Sequence, residues 1–432
     1  MLLAILLPLV AADIFSPGQV RISWAEEDDS MYITWASENP SPYAGLEYTP
    51  VDSPDQEVLE FKHHTRGYWR SFQNVRNKES RILYVCWAKM VNLEAGKYYK
   101  YRVGDKVYGY TPSFVLQAKK DHKKDPLTRF IVYGDLGVGE QAYMTMDSLE
   151  IEMYNLEYDA ILHVGDMAYE INDWSGYKGD MFLDMIEPLA SKIPYMVAQG
   201  NHEGPDLGAT DHYITRFTMP GQGLNFFYSF NVGKVHFLAY STEFPIQKDY
   251  EWQKVQMDFI MRDLNSVNRT HTPWVVAYAH RPLYCSADWN IEYGYGPVPR
   301  ERHNGDCLEQ APIIRKAFED VFYENKVDLL LYGHVHAYER FSPVYNNQTI
   351  PSEFDDLNHH INPRAPVVII TGNPGQAESY APVSSTPLPF SLFQSDVIGY
   401  GRLTVFNETS LLFEQVASED QSIVDHVWIV KV

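Results

Sequence analysis

Five short motifs in this 432-residue chain carry side chains suited to metal ligation. They are Gly134-Asp135-Leu136-Gly137, Gly165-Asp166-Met167-Ala168-Tyr169, Gly200-Asn201-His202-Glu203, Ala277-Tyr278-Ala279-His280 and Gly333-His334-Val335-His336. Taken singly, a Gly-Asp pair is usually a turn or a helix cap. Five such clusters in the same relative place are hard to attribute to chance. Asp135, Asp166, Tyr169, Asn201, His280, His334 and His336 are therefore candidate ligands. Seven donors exceed what one tetrahedral ion takes, so two ions sharing a bridge is the economical arrangement. Carboxylates, imidazoles and an amide oxygen without a thiolate suit iron, zinc or manganese. Two ions about 3.5–4 Å apart can clamp a phosphoryl group and lower the pKa of a bound water. No Ser or Cys nucleophile is then needed. The chain has neither a P-loop nor a Gly-x-Ser-x-Gly elbow.

Each motif follows a compact apolar run of the length of a strand buried on both faces. The runs are Arg129–Tyr133, Ala160–His163, Pro194–Ala198, Trp274–Tyr278 and Asp328–Tyr332. Glycine beside a ligand lets the backbone turn sharply and approach an ion closely. The runs are thus expected to bring all the donors to one edge of one sheet. Helical periodicity over Met144–Leu156, Tyr250–Leu264 and Ala311–Tyr323 separates several runs and predicts an α/β domain with functional loops at the carboxyl ends of its strands. Pro366–Thr371 is one more apolar run. Gly401–Phe406, Ser410–Val416 and Val424–Val430 read as antiparallel closing strands.

The first part of the chain has a different pattern. Short alternating strands at Gln19–Trp24, Ser30–Ala36, Arg81–Trp87 and Tyr98–Val103 are punctuated by Gly, Pro, Asp and Asn. The stretch Leu93–Val103 suits an immunoglobulin-like sandwich in which a corner tyrosine bonds back to the backbone. The expected division is a signal peptide at 1–12, a β-sandwich at 16–117, a linker at 118–128, a catalytic domain at 129–375 and closing strands at 376–432. Met1–Ala12 is apolar and ends in small residues, as a signal peptide does. No later apolar run has transmembrane length.

A net charge of −22 disfavours nucleic acid as a partner, because backbone phosphates call for clustered cations. Sequons at Asn268, Asn347 and Asn407 are candidate glycosylation sites and support a secretory route. Of three cysteines, Cys285 and Cys307 lie in one irregular stretch and could staple it, leaving Cys86 as a buried thiol.

The set GDLG, GDMAY, GNHE, AYAH and GHVHAYER resembles the five-block signature of the purple acid phosphatases, within the calcineurin-like metallophosphoesterases. The resemblance spans nearly the whole chain. The leading sandwich and the ending GYGRLTVFNETSLLFEQV are similar to the long form of plants and animals, the animal acid phosphatase type 7 group in particular. It implies a fibronectin III-like sandwich followed by an α/β/β/α catalytic sandwich. It also implies that Asp135, Asp166, Tyr169 and His336 hold a ferric ion, with Tyr169 as the colour-giving tyrosinate. Asp166 as the bridge, Asn201, His280 and His334 would hold a second divalent metal: zinc, iron or manganese. His202 would be the catalytic group that contacts phosphate or assists proton transfer.

The expected reaction is hydrolysis of phosphate monoesters by metal-bound hydroxide at acidic pH, on small phosphorylated substrates. Diesters or nucleotide pyrophosphates are the nearest alternative, and a silent secreted binding glycoprotein is a third reading. Secretion or a lysosomal location and a possible homodimer complete the expectation. The chain departs from the pattern after His280. Trp289 and Asn290 stand where plant relatives carry histidines, and His303 is the one histidine of that loop.

Overall fold

The computed structural model describes residues 17–432 apart from 74–80, 123, 125, 205–207, 222, 287–305 and 377–382, and gives the backbone alone for 306–308. Met1–Ala12, Trp289, Asn290, His303 and the side chain of Cys307 lie outside the described residues.

Strand periodicity of two builds the first unit. One antiparallel sheet orders Gly18–Trp24, Met31–Ser37, Ile82–Met90 and Tyr68–Gln73. The other is centred on Gly45–Val51 and Tyr98–Asp105. Alternate residues Val20, Ile22 and Trp24 of the first and Tyr99, Tyr101 and Val103 of the second are buried, as inner faces of a sandwich require. The corner tyrosine is Tyr99, whose hydroxyl accepts the Glu94 N–H at 2.9 Å.

The second unit is a mixed α/β structure with two large sheets. The eight-stranded sheet runs Tyr195–Val197, Ala160–His163, Thr128–Tyr133, Gly399–Val405, Ser410–Ala417, Ile423–Val430, His359–Ile361 and Phe354–Asp355. Its first three strands are parallel. The seven-stranded sheet runs Tyr228–Val232, Val235–Ala239, Trp274–Tyr278, Leu329–Tyr332, Val367–Thr371, Tyr338–Phe341 and Ser391–Ser395. Four of these strands, from Val235–Ala239 to Val367–Thr371, are parallel. The sheets pack through apolar side chains, with Phe130 of one against Phe237 of the other at 4.6 Å between ring centroids.

This architecture corrects one expectation. The ligand motifs do not share one sheet edge. Those of Asp135, Asp166 and Asn201 follow strands of the eight-stranded sheet, whereas those of His280 and His334-x-His336 follow strands of the seven-stranded sheet. An apolar run shows that a strand is buried on both faces but does not name its neighbours. Here the antiparallel pair Tyr228–Val232 and Val235–Ala239 starts a second parallel set. The two sets face each other, and their carboxyl ends meet.

Helices Glu140–Asn155, Tyr250–Ser266 and Asp306–Glu324 contain the three expected helical segments except Leu156, which is extended just past the first helix. Tyr177–Ala190 and Ala209–Arg216 are helices that the sequence pattern left unassigned. The sandwich is tied to both. Val20 N–H donates to Glu187 Oε1 at 2.9 Å, and Arg70 Nη2 donates to the Thr215 carbonyl at 2.9 Å. The Tyr101 hydroxyl reaches the Ser191 carbonyl just past the first helix.

Candidate metal centre

The donors fall into two touching groups. In the first, the Tyr169 hydroxyl donates to Asp135 Oδ1 at 3.0 Å and lies 2.8 Å from His336 Nε2. Asp135 Oδ2 accepts the His334 N–H at 2.7 Å, which ties this group to the opposite sheet. In the second, His280 Nε2 lies 3.0 Å from both Asp166 Oδ2 and Asn201 Oδ1. Ligand atoms of Asp166, His280 and His334 all lie within 4.8 Å of one another, a spacing that can hold an ion. All seven sequence candidates therefore converge. Asn201 is half-buried, and the other six are buried.

Glycine makes the convergence possible. A Cβ on Gly165 would meet the His280 ring, with Nδ1 at 2.7 Å, and Gly165 has φ +93°. A Cβ on Gly200 would meet Asp166, and one on Gly333 would meet the Asp135 carboxylate.

The electrostatics suit cations. Burial alone would lower the His280 pKa, but the carboxylates of Asp166 and Asp135 outweigh it and push it up to about 9. Burial alone would raise Asp166, and the imidazoles of His280 and His202 instead hold it below the usual carboxylate range. Positive charge is thus favoured between these side chains. His334 is held well below its ordinary value by burial and then by Arg281 and His280, which keeps it in the neutral, ligating form. The donor set of two carboxylates, three imidazoles, an amide and a phenol fits two ions of the iron or zinc type.

His202 stands beside the second group. Its Nδ1 lies 2.6 Å from Glu170 Oε1, its Nε2 is 3.7 Å from Asp166 Oδ2, and its ring lies 4.5 Å from that of Tyr169.

Four residues not singled out from sequence also shape the site. Glu170 orients His202. Glu203 accepts the backbone N–H groups of Asp166 and Met167 at 2.9 Å and of Gly200 at 3.0 Å. Burial and the nearby Asp166 push its pKa up to about 7, against three donors that favour the anion. Arg281 and Glu243 form a buried ion pair at 3.0 Å. The sequence signal for Glu203 was its place inside the Gly200–Glu203 motif, and for Glu170 and Arg281 adjacency to a motif; Glu243 had none.

The remaining candidates lie away from the centre. Asn268 and Asn347 are exposed and Asn407 is half-buried. In two sequons the Thr hydroxyl donates to the Asn side chain, Thr270 at 2.6 Å and Thr409 at 3.0 Å. Cys285 is disulfide-bonded, and Cys86 is a free, buried thiol.

Comparison with known proteins agrees along the chain. The family described as "Purple acid Phosphatase, N-terminal domain" matches residues 17–118. "Calcineurin-like phosphoesterase" matches 128–338, and "Iron/zinc purple acid phosphatase-like protein C" matches 365–426. Acid phosphatase type 7 of Homo sapiens is 32% identical over 437 aligned positions, covering 96% of this chain and 91% of that protein. Purple acid phosphatase 22 of Arabidopsis thaliana is 30% identical, covering 96% and 85%. The structure of a purple acid phosphatase from yellow lupin (Lupinus luteus) seeds superposes with a TM-score of 0.78 at 23% identity, covering 96% of this chain and 75% of that one, and so shares the fold. From sandwich to closing strands, the chain belongs to the purple acid phosphatase family of calcineurin-like phosphoesterases.

Proposed function

We propose that this protein hydrolyses phosphate monoesters at acidic pH with two metal ions held by the seven converging donors. The observation that carries the reading is the meeting of a Tyr169–Asp135–His336 group and an Asp166–His280–Asn201–His334 group across two sheets. Tyr169, Asp135, His336 and Asp166 would hold ferric iron, and Asp166, Asn201, His280 and His334 a divalent zinc, iron or manganese. Bound there, two ions would polarise the phosphoryl oxygens and lower the pKa of a bound water.

The chain's own residues supply the rest. Buried carboxylates fix the ion positions, and Glu203 locks the backbone of two ligand loops together. His202, oriented by Glu170, is placed to donate to a phosphate oxygen, a charge-assisted bond that favours activity below neutral pH. Passage through the secretory route is part of the same reading. The bonded Cys285 suits an oxidising compartment, and no helix among the described residues is long and apolar enough to cross a membrane.

The test is elemental analysis of the purified protein with parallel assays on an aryl monoester, a diester and ATP across acidic and neutral pH. Two metals per chain and the highest kcat/KM on the monoester at acidic pH are expected. A single bound metal, or a diester or ATP as the best substrate, would overturn the reading.

A further inference from the structure

The residue after the ligand His280 is Arg281, and it is 6% exposed. Its Nε donates to both carboxylate oxygens of Glu243, at 3.0 and 3.1 Å, and its backbone N–H donates to Thr242 Oγ1 at 2.9 Å. Nη1 donates to Gln310 Oε1 and lies 2.7 Å from His334 Nε2. Nε and Nη1 are thereby engaged. The pair on Nη2 makes no hydrogen bond to any described residue.

A buried arginine–carboxylate pair is weak ground for stability, since well-packed apolar side chains of similar volume do as well. Its place in the molecule gives it another meaning. The centre is rich in carboxylates: Asp135, Asp166, Glu170, Glu203 and Glu243. A phosphate dianion entering it needs fixed cationic donors besides the ions. The Lys178 ammonium is already engaged with the Tyr169 carbonyl, Asp173 and Glu170. Arg281 lies beside His334, is anchored through Nε by Glu243, and has a charged Nη2 with N–H groups left to donate singly to an oxygen.

We propose that Arg281 is a phosphate-contacting catalytic residue, donating from Nη2 to a non-bridging oxygen of the phosphoryl group. Glu243 and Gln310 are the residues that position it. The guanidinium keeps its protons throughout; it stabilises charge and transfers nothing. The inference rests on the phosphate monoesterase reading given above.

The test uses the metal-loaded full chain and three variants: Arg281→Lys, Arg281→Met, and Arg281→Met combined with Glu243→Gln. The double variant leaves no lone carboxylate in the interior, so it stays folded where the single Met variant does not. Metal content, kcat/KM on an aryl phosphate and calorimetric binding of inorganic phosphate are measured for each. The double variant should keep its metals and lose about 10²–10³-fold in kcat/KM, the usual cost of one preorganised donor. It should bind inorganic phosphate at least about tenfold more weakly, and Arg281→Lys should recover part of both losses. Unchanged phosphate binding in the double variant would overturn the proposal. So would a loss of metal in proportion to activity, which would make Arg281 a support for His334 alone. A parental protein inactive on monoesters would instead count against the function proposed above, and the phosphate calorimetry would still decide the role of Arg281.

Discussion

Gly200→Ala is the smallest change that tests whether close backbone approach builds the metal centre. Gly200 has φ −102° and ψ −176°, extended backbone that alanine adopts without strain. Any effect is therefore steric. The added Cβ would collide with Oδ1 and the backbone N of Asp166 and would lie 2.9 Å from its Cγ. Ordinary carbon–carbon contact is about 3.5–4.0 Å, so the Asp166 carboxylate must retreat by about 1 Å. It cannot do so freely, because its Oδ1 accepts the His202 N–H at 2.9 Å and its own N–H is held by Glu203. A shift of that size in a reacting constellation costs about 10²-fold in rate, and overpacking costs about 1–3 kcal/mol in stability. We expect Gly200→Ala to lose about 10²-fold in kcat/KM together with part of its metal. The control is Gly18→Ala, where a Cβ meets nothing within 4 Å and neither quantity should move. A Gly200→Ala protein with parental metal content and kcat/KM within about threefold of the parent would refute the reasoning.

Other consequences are separately testable. On the proposed ferric site, the iron-loaded protein should show a visible charge-transfer band that Tyr169→Phe abolishes, since the phenol that touches Asp135 and His336 is gone; a colour that survives would remove Tyr169 from the ligand set. Asp425→Ala should destabilise the fold by about 3–5 kcal/mol in urea unfolding, because it strands the buried Arg340 guanidinium, paired at 2.6 and 2.9 Å between the two sheets. A loss below about 1 kcal/mol would mean that the pair is solvated. His212 packs on Phe72 of the sandwich, and its pKa is pushed down to about 3 by burial and then by Arg216 and Arg81. Below its ordinary value of 6.5 the unfolded chain takes up a proton that the folded chain refuses. Stability should therefore fall by about 1.4 kcal/mol per pH unit from about pH 6.5 towards about pH 3. Urea midpoints at about pH 7 and about pH 4.5 should differ less in His212→Gln than in the parent, and an equal difference would sink the assignment.

The ligand motifs were legible because each ends a short apolar run with a glycine next to a polar donor, a pattern that survives without knowing the fold. Ala160–His163 and Trp274–Tyr278 have the bounds that their composition indicates. What the runs do not encode is which strands are neighbours, and so the division of the donors between two sheets was invisible. Tyr177–Ala190 escaped notice because Gly179 and Pro188 interrupt its helical pattern; its packing on Glu140–Asn155 and on the sandwich holds it. Single charges in the interior are equally illegible in the sequence. Glu203, Glu243 and Arg281 look like solvated residues in a sequence, and only the fold shows that they are buried.

The backbone around the converging donors gives a physical reason why those buried charges are there. Asp135, Asp166, Tyr169, Glu170 and His334 all have positive φ, between 53° and 68°. Each such residue costs about 1–2 kcal/mol, least for aspartate. Strain on five residues of one site persists only if surrounding bonds over-determine it. They do so here. The Asp135 N–H donates to the Gly165 carbonyl at 3.0 Å, and the His334 N–H donates to Asp135. Lys178 holds the Tyr169 carbonyl, and Glu203 takes the N–H groups of Asp166, Met167 and Gly200 at once. Glu203 therefore joins the loop of Asp166 to the loop of Asn201. Its buried carboxylate costs desolvation, and that cost offsets the freedom of two loops that must hold donors to within a fraction of an ångström. The chain's own hydrogen bonds thus hold the donor loops in register with one another.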